Sequence, residues 1–158
     1  MKLDGKKLVI CGFMGAGKTT FGRWIAYQKG LGFVDLDAKI EEEKCMLISQ
    51  IFEEFGESFF REVETEFCKK LTKMENVVIA VGGGTFENER NILMFEKDFD
   101  ILFLYVSFET CYSRIKGSDR PLVARLTKKQ LQELFKRRQK TYLRASKIIL
   151  KEWEVANI

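Results

Sequence analysis

The hydrophobic pattern of the chain switches repeatedly between two periods. Unbroken apolar runs rich in β-branched residues at 8–11 (LVIC), 77–81 (VVIAV) and 101–106 (ILFLYV) predict strands covered on both faces. Shorter runs at 33–36 and 148–150 predict a second and a fifth strand. Between them, apolar residues recur at helical spacing over 18–29, 48–55, 58–74, 87–95, 108–115 and 128–144, and 38–43 reads as helical and strongly acidic. Gly30-Leu31-Gly32 ends the first helix, and Gly56 breaks the stripe Phe52, Phe55, Phe59, Val63, Phe67, Leu71 into two helices. Leu131, Leu134 and Phe135 anchor the last one. Residues 116–125 carry the only proline, Pro121, amid charge and glycine, and predict a mobile loop. Strands alternating with helices imply an α/β fold, a parallel sheet with helices on both faces. With no repeat, linker or low-complexity tract, residues 1–158 are expected to form one domain.

The first strand runs directly into GFMGAGKTT. Gly12, four intervening residues, Gly17, Lys18 and Thr19 fit the phosphate-binding P-loop, and the strand before and helix after are the context that motif requires. Gly12, Gly15 and Gly17 admit positive φ and bring backbone N–H groups close to phosphate oxygens. Those groups and the helix N-terminus form an anion site. Lys18 is suited to neutralise β/γ-phosphate charge and the Thr19 hydroxyl to ligate Mg²⁺. The expected ligand is a nucleoside triphosphate.

Ligands of open α/β sheets bind beyond the carboxyl ends of the strands, and the other chemistry-bearing residues fall there. Asp35 and Asp37 follow the second strand. In an extended segment, residues two apart face the same side, so both carboxylates are expected at the P-loop cleft. One would hold Mg²⁺ through its water shell and the other accept a substrate hydroxyl's proton, although Asp37 also suits a helix N-cap. Gly82, Gly83 and Gly84 end the third strand, where bare backbone lets a substrate approach. Arg61 and Glu64 are one turn apart: a solvated ion pair, or a guanidinium fork for a substrate carboxylate held in place by Glu64. Arg120, on the glycine-containing loop, is a candidate to close over the phosphates. Arg138 stands in a basic run with Lys136, Arg137 and Lys140 that also reads as surface charge. Phe55, Phe59 and Phe67 read as core, and Phe52 and Phe60 as pocket candidates.

Composition narrows the class. Apolar residues at 46% and charged residues at 32% describe a globular chain. A net charge of +4 suits small anionic substrates, without the dense Lys/Arg block of a nucleic-acid groove. There is no histidine, and Cys11, Cys45, Cys68 and Cys111 are scattered, which excludes the common zinc spacings and fits reduced thiols. Proton transfer therefore falls to a carboxylate, a lysine or substrate phosphate. No apolar run approaches the roughly 18–20 residues of a membrane span, and no signal peptide precedes the first strand. A cytoplasmic monomer with no membrane or nucleic-acid partner is expected.

Taken together, these motifs resemble the shikimate kinase family from residue 7 to about residue 150. The family's GxxGxGKS/T corresponds to Gly12 through Thr19, its DxD to Asp35-Leu36-Asp37, and its IF…GE…FR…E to Ile51-Phe52, Gly56-Glu57, Phe60-Arg61 and Glu64. Its GGG is Gly82, Gly83 and Gly84, its lid motif RPL is Arg120-Pro121-Leu122, and its late KR…Y is Arg137-Arg138 and Tyr142. The resemblance implies a five-stranded parallel sheet in the order 2-3-1-4-5 with a mobile lid at about 116–125 and substrate-binding helices over about 37–74. It implies ATP-dependent phosphorylation of the shikimate 3-hydroxyl. ATP would be held by Gly15, Ala16, Gly17, Lys18, Thr19 and Thr20, with Arg114 stacking near adenine and Arg120 reaching the phosphates. Mg²⁺ would sit on Thr19 and Asp35. Shikimate would be bound by Asp37, Phe52, Phe60, Arg61, Gly82, Gly83, Gly84 and Arg138, and catalysis would rest on Asp37, Lys18 and Arg120. Two departures are visible: a short lid, and only KEWEVANI after the fifth strand, where the family has a further helix and Trp153 is the residue available to cover apolar surface. The rivals are another small-molecule kinase of this fold, such as a gluconate kinase, and a non-catalytic nucleotide-binding module. A GTPase is disfavoured because no NKxD motif is present.

Overall fold

Strands whose residues are apolar on both faces belong in the middle of a sheet, and that is where they lie. In the computed structural model, which describes residues 5–151, β1 (Lys7–Cys11), β3 (Val77–Ala80) and β4 (Asp100–Tyr105) are central, with β2 (Gly32–Asp35) and β5 (Ile148–Lys151) at the edges. The five strands are parallel, in the order β2-β3-β1-β4-β5. Every residue of β3 is buried, whereas the two edge strands are only partly covered. Helices α1 (Lys18–Lys29), α2 (Leu36–Lys44), α3 (Ile48–Phe55), α4 (Glu57–Leu71), α5 (Glu89–Glu96), α6 (Phe108–Ile115), α7 (Pro121–Arg125) and α8 (Lys128–Ala145) cover both faces, and a short 3₁₀ turn, Thr85–Glu87, precedes α5. Leu131, Leu134 and Phe135 bury the apolar side of α8 as the periodicity requires.

Register sets up the site. Ile10 pairs with Ala80, and Ala80 with Asp35, so the ends of β1, β3 and β2 lie in one row. Whatever follows each strand therefore emerges at the same edge: the P-loop, the triple glycine and the two aspartates.

The structure differs from the sequence reading in four places. β2 stops at Asp35, and Leu36 begins α2 as a fully buried residue. The capping residue is Asp35, whose Oδ1 accepts the Ala38 N–H at 3.1 Å, and Asp37 stands in the first helical turn instead of an extended segment. The segment 116–125 is not all loop, because Pro121 opens α7 at its first position, where a missing N–H costs nothing. Phe55 and Phe59 are not core: they are 54% and 40% exposed, with ring centroids 4.8 Å apart and tilted by 33° against each other beside the Gly56 break. Phe67 is core. Trp153 lies outside the described residues.

Candidate active site

The P-loop is built by its own backbone. Gly15 and Gly17 have φ of 78° and 90°, the left-handed region that a side chain would strain. The Ala16 N–H turns inward onto the Phe13 carbonyl at 3.1 Å and its methyl is buried, so Ala16 shapes the loop from within. Lys18 opens α1, its ammonium donating to the carbonyls of Gly12 at 2.8 Å and Phe13 at 3.0 Å. Burial holds its pKa down at about 8, partly opposed by Asp37 and reinforced by Arg120. Thr19 and Thr20 follow on the exposed rim.

The Thr19 hydroxyl donates to Asp35 Oδ2, joining α1 to the start of α2. The result is two hard oxygen donors side by side next to the phosphate loop, the chemistry that an oxygen-preferring cation arriving with nucleotide phosphates uses. No other cluster of His, Cys, Asp or Glu suited to a metal occurs among the described residues.

Asp37 points inward from α2, its Oδ1 buried, without a hydrogen-bond partner, and 3.0 Å from where a Cβ on Gly82 would lie. Burial lifts its pKa to about 6, helped by the neighbouring carboxylates of Glu64 and Asp35 and opposed by Lys18 and Arg120. A carboxylate poised near neutrality beside a cleft is suited to general-base work.

Glu64 is buried on α4, where Oε1 accepts Arg61 Nη1 at 2.9 Å and Oε2 accepts the Thr85 hydroxyl at 2.6 Å. Asn91, also buried, ties the Thr85 carbonyl with a 2.9 Å bond. Arg61 is thus fixed from one side, with Glu57 a second partner at 3.4 Å. Arg138, fully buried on α8, donates from Nη2 to Glu87 at 3.0 Å, while its Nε is buried without a partner. Both guanidiniums converge over Gly84: a Cβ there would meet Arg61 Nη2 at 2.5 Å and Arg138 Nη2 at 2.8 Å. The triple glycine makes room for the two arginines. Tyr142, one turn beyond Arg138, donates its hydroxyl to the Gly83 carbonyl and pins this turn to α8.

Phe52 and Phe60 are buried with ring centroids 4.9 Å apart and line the same cleft, whose volume is about 730 Å³. Arg120 is exposed on the segment leading into α7 and lines the same cleft as the P-loop, and Arg125 places its guanidinium 5.9 Å from the Phe52 ring centroid. Arg114 on α6 donates to the Gly15 carbonyl at 2.9 Å, which puts it against the P-loop. The cleft therefore joins a phosphate loop, a poised carboxylate and a double-arginine clamp.

The family model for shikimate kinase matches residues 14–157 of this sequence. The chain belongs to the shikimate kinase family. The shikimate kinase of Persephonella marina is 34% identical over 89% of this chain and 85% of its own. Among solved structures, shikimate kinase from Acinetobacter baumannii in complex with shikimate superposes with a TM-score of 0.88 at 31% identity, covering 93% of this chain and 83% of that one. Shikimate kinase from Aquifex aeolicus gives a TM-score of 0.83 at 32% identity, covering 96% and 92%.

Within this shikimate kinase scaffold, several supporting residues escaped the sequence reading of the site. Thr85 lies outside every expected element, and Glu87 and Asn91 fall in the expected helix 87–95 with no motif around them; all three act through contacts that reach α4 and α8. Tyr142 left a signal: it is four residues from Arg138, hence on the same face of α8.

Proposed function

We propose that the protein transfers the γ-phosphoryl group of ATP to the 3-hydroxyl of shikimate, giving shikimate 3-phosphate for aromatic amino-acid biosynthesis. The observation that carries this reading lies in the unsatisfied buried atoms on residues lining the cleft: Ser118 Oγ belongs to the segment 116–125, and the other two are the acceptor Asp37 Oδ1 and the donor Arg138 Nε. A buried polar atom left unpaired is costly, and a ligand with a hydroxyl at one end and a carboxylate at the other satisfies both.

In this mechanism Arg61 and Arg138 clamp the shikimate carboxylate, Phe52 and Phe60 cover the ring, and Gly82 through Gly84 let it lie against backbone. Asp37 hydrogen-bonds the 3-hydroxyl and takes its proton as the oxygen attacks the γ-phosphorus in line. The bond to the β–γ bridging oxygen breaks and ADP departs with the electron pair. Lys18, the amides of Gly15, Gly17, Lys18, Thr19 and Thr20, and Arg120 stabilise the charge that develops on the phosphates, whereas the Ala16 N–H is taken by the Phe13 carbonyl. Thr19 and Asp35 would hold Mg²⁺, which when bound would supply further neutralisation of phosphate charge. The segment 116–125 acts as the lid that excludes water, and Arg114 borders the adenine. A cytoplasmic monomer acting on small molecules alone completes the proposal. No helix among the described residues is long and apolar enough to cross a membrane.

The test is a coupled ADP-release assay with Mg-ATP and shikimate, quinate, gluconate or no acceptor. Shikimate-dependent turnover is expected. Turnover on gluconate alone would keep the fold and replace the substrate, and nucleotide binding without turnover on any acceptor would make the protein a binding module.

A further inference from the structure

The clamp carries more carboxylates than its geometry needs. Arg61 has Glu64 and Glu57 as partners, and Arg138 has Glu87. Glu87 ends the 3₁₀ turn that leaves the triple glycine, with its own N–H bonded to the Gly84 carbonyl at 3.1 Å. One oxygen accepts Arg138 Nη2 at 3.0 Å, and the other accepts Arg137 Nη2 at 2.9 Å and Nε at 3.3 Å. The Arg138 side chain is 2% exposed and that of Arg137 68%, so one carboxylate at the rim links a buried cation to a solvated one. Burial alone would raise the Glu87 pKa, but Arg138 and Arg137 overcome it and hold the carboxyl below its ordinary value. Three guanidiniums, Arg61, Arg137 and Arg138, therefore face three carboxylates, Glu57, Glu64 and Glu87.

We propose that Glu87 sets the charge of the clamp, making it selective for a singly charged carboxylate over a dianion. This rests on the reading that Arg61 and Arg138 bind the substrate carboxylate. Glu87 acts through Arg138: it occupies Nη2 and leaves Nε and Nη1 for the ligand, and its charge cancels part of the attraction an anion feels. Coulomb energy scales with ligand charge, so Glu87 opposes a dianion twice as strongly as a monoanion. Glu87 therefore cuts the clamp's attraction for a sulfate- or phosphate-like dianion further than its attraction for a carboxylate.

Glu87→Gln removes the charge and keeps an acceptor oxygen for Arg138. The probes are benzoate as a monoanion and inorganic sulfate as a dianion, measured as inhibitors against shikimate at constant ionic strength, with saturating Mg-ATP occupying the P-loop. If the benzoate inhibition constant falls about threefold, the sulfate constant should fall about tenfold, the square of that factor, with the KM for shikimate falling and that for ATP unchanged. Arg137→Gln withdraws a positive charge from the same carboxylate and should weaken sulfate more than benzoate. Equal factors for the two anions, or a raised KM for shikimate in Glu87→Gln, would overturn the proposal, the second result marking Glu87 as a purely structural prop. Inhibition by benzoate that is not competitive with shikimate would overturn the clamp reading itself, and the role of Glu87 with it.

Discussion

Arg61 and Glu64, one helical turn apart on α4, meet through Nη1 and Oε1 at 2.9 Å, yet only one of them is sealed from solvent: the side chains are 24% and 1% exposed. The buried carboxylate anchors the guanidinium, whose Nη2 is turned toward Gly84 and Arg138. Exposed pairs at this spacing contribute well under about 1 kcal/mol. This one matters for where it aims the fork.

Arg61→Lys keeps the charge and loses the planar fork. The KM for shikimate is expected to rise about tenfold or more, corresponding to one lost charge-assisted hydrogen bond, while the KM for ATP stays within about twofold. Steady-state kinetics with each substrate varied in turn checks this, and a parallel rise in both constants would remove Arg61 from the clamp.

Gly84→Ala tests the space above the triple glycine. Gly84 has φ of −98°, which any residue adopts, so the change brings no backbone strain. Its methyl would instead push on Arg61 Nη2 and Arg138 Nη2, at 2.5 and 2.8 Å. Shikimate affinity should drop by about tenfold as the fork geometry is lost, with a small change in Tm because both contacts are at the far ends of long side chains. Wild-type affinity in the alanine variant would show that the two arginines do not need this room.

Asp37→Asn separates activity from stability. The rate is expected to fall by about 10²–10⁴ through loss of the base. Stability should move the other way. The folded-state pKa of about 6 lies above the ordinary 3.8, so the native protein takes up a proton on acidification and the ionised form is disfavoured in it. The advantage of asparagine should be absent below about pH 3.8 and complete above about pH 6, reaching roughly 2–3 kcal/mol. Denaturant melts of both proteins in EDTA across this range read it out, and a pH-independent difference would contradict the shifted pKa.

Tyr142→Phe deletes the hydroxyl that serves the Gly83 carbonyl, from a side chain that is 1% exposed. Leaving this part-buried acceptor without its donor costs at most about 1–3 kcal/mol. A lower Tm is expected, together with a KM for shikimate that rises more than that for ATP, because in the proposed mechanism the loosened turn contacts shikimate. Unchanged Tm would mean that the carbonyl finds another donor.

Features that depend on local or two-sided chemistry were legible along the chain. β1, β3 and β4 were legible because strands buried on both faces must be apolar at every position. The P-loop was legible because its turn is made by the glycines that the motif spells, and Lys18 and Thr19 are delivered by the helix that starts there. The order of elements and the two-sided α/β architecture followed from that alternation, and the strand order 2-3-1-4-5 from the family resemblance. Tertiary structure decided what depends on which face of an element meets which neighbour. Asp35 rather than Asp37 became the helix cap because β2 ends one residue before the apolar run does. Arg137 and Arg138 carry the same charge in the same basic run, but adjacent residues of a helix point about 100° apart, and only the packing of α8 over the triple glycine buries one and exposes the other. Glu87 and Asn91 were legible only as part of a helix and Thr85 not at all, and the three acquire meaning only where the turn after β3 touches α4 and α8. Phe55 and Phe59 fitted the core stripe and ended outside it because Gly56 redirects the chain there. Periodicity records which residues must avoid water; only long-range packing decides which polar groups converge on one point.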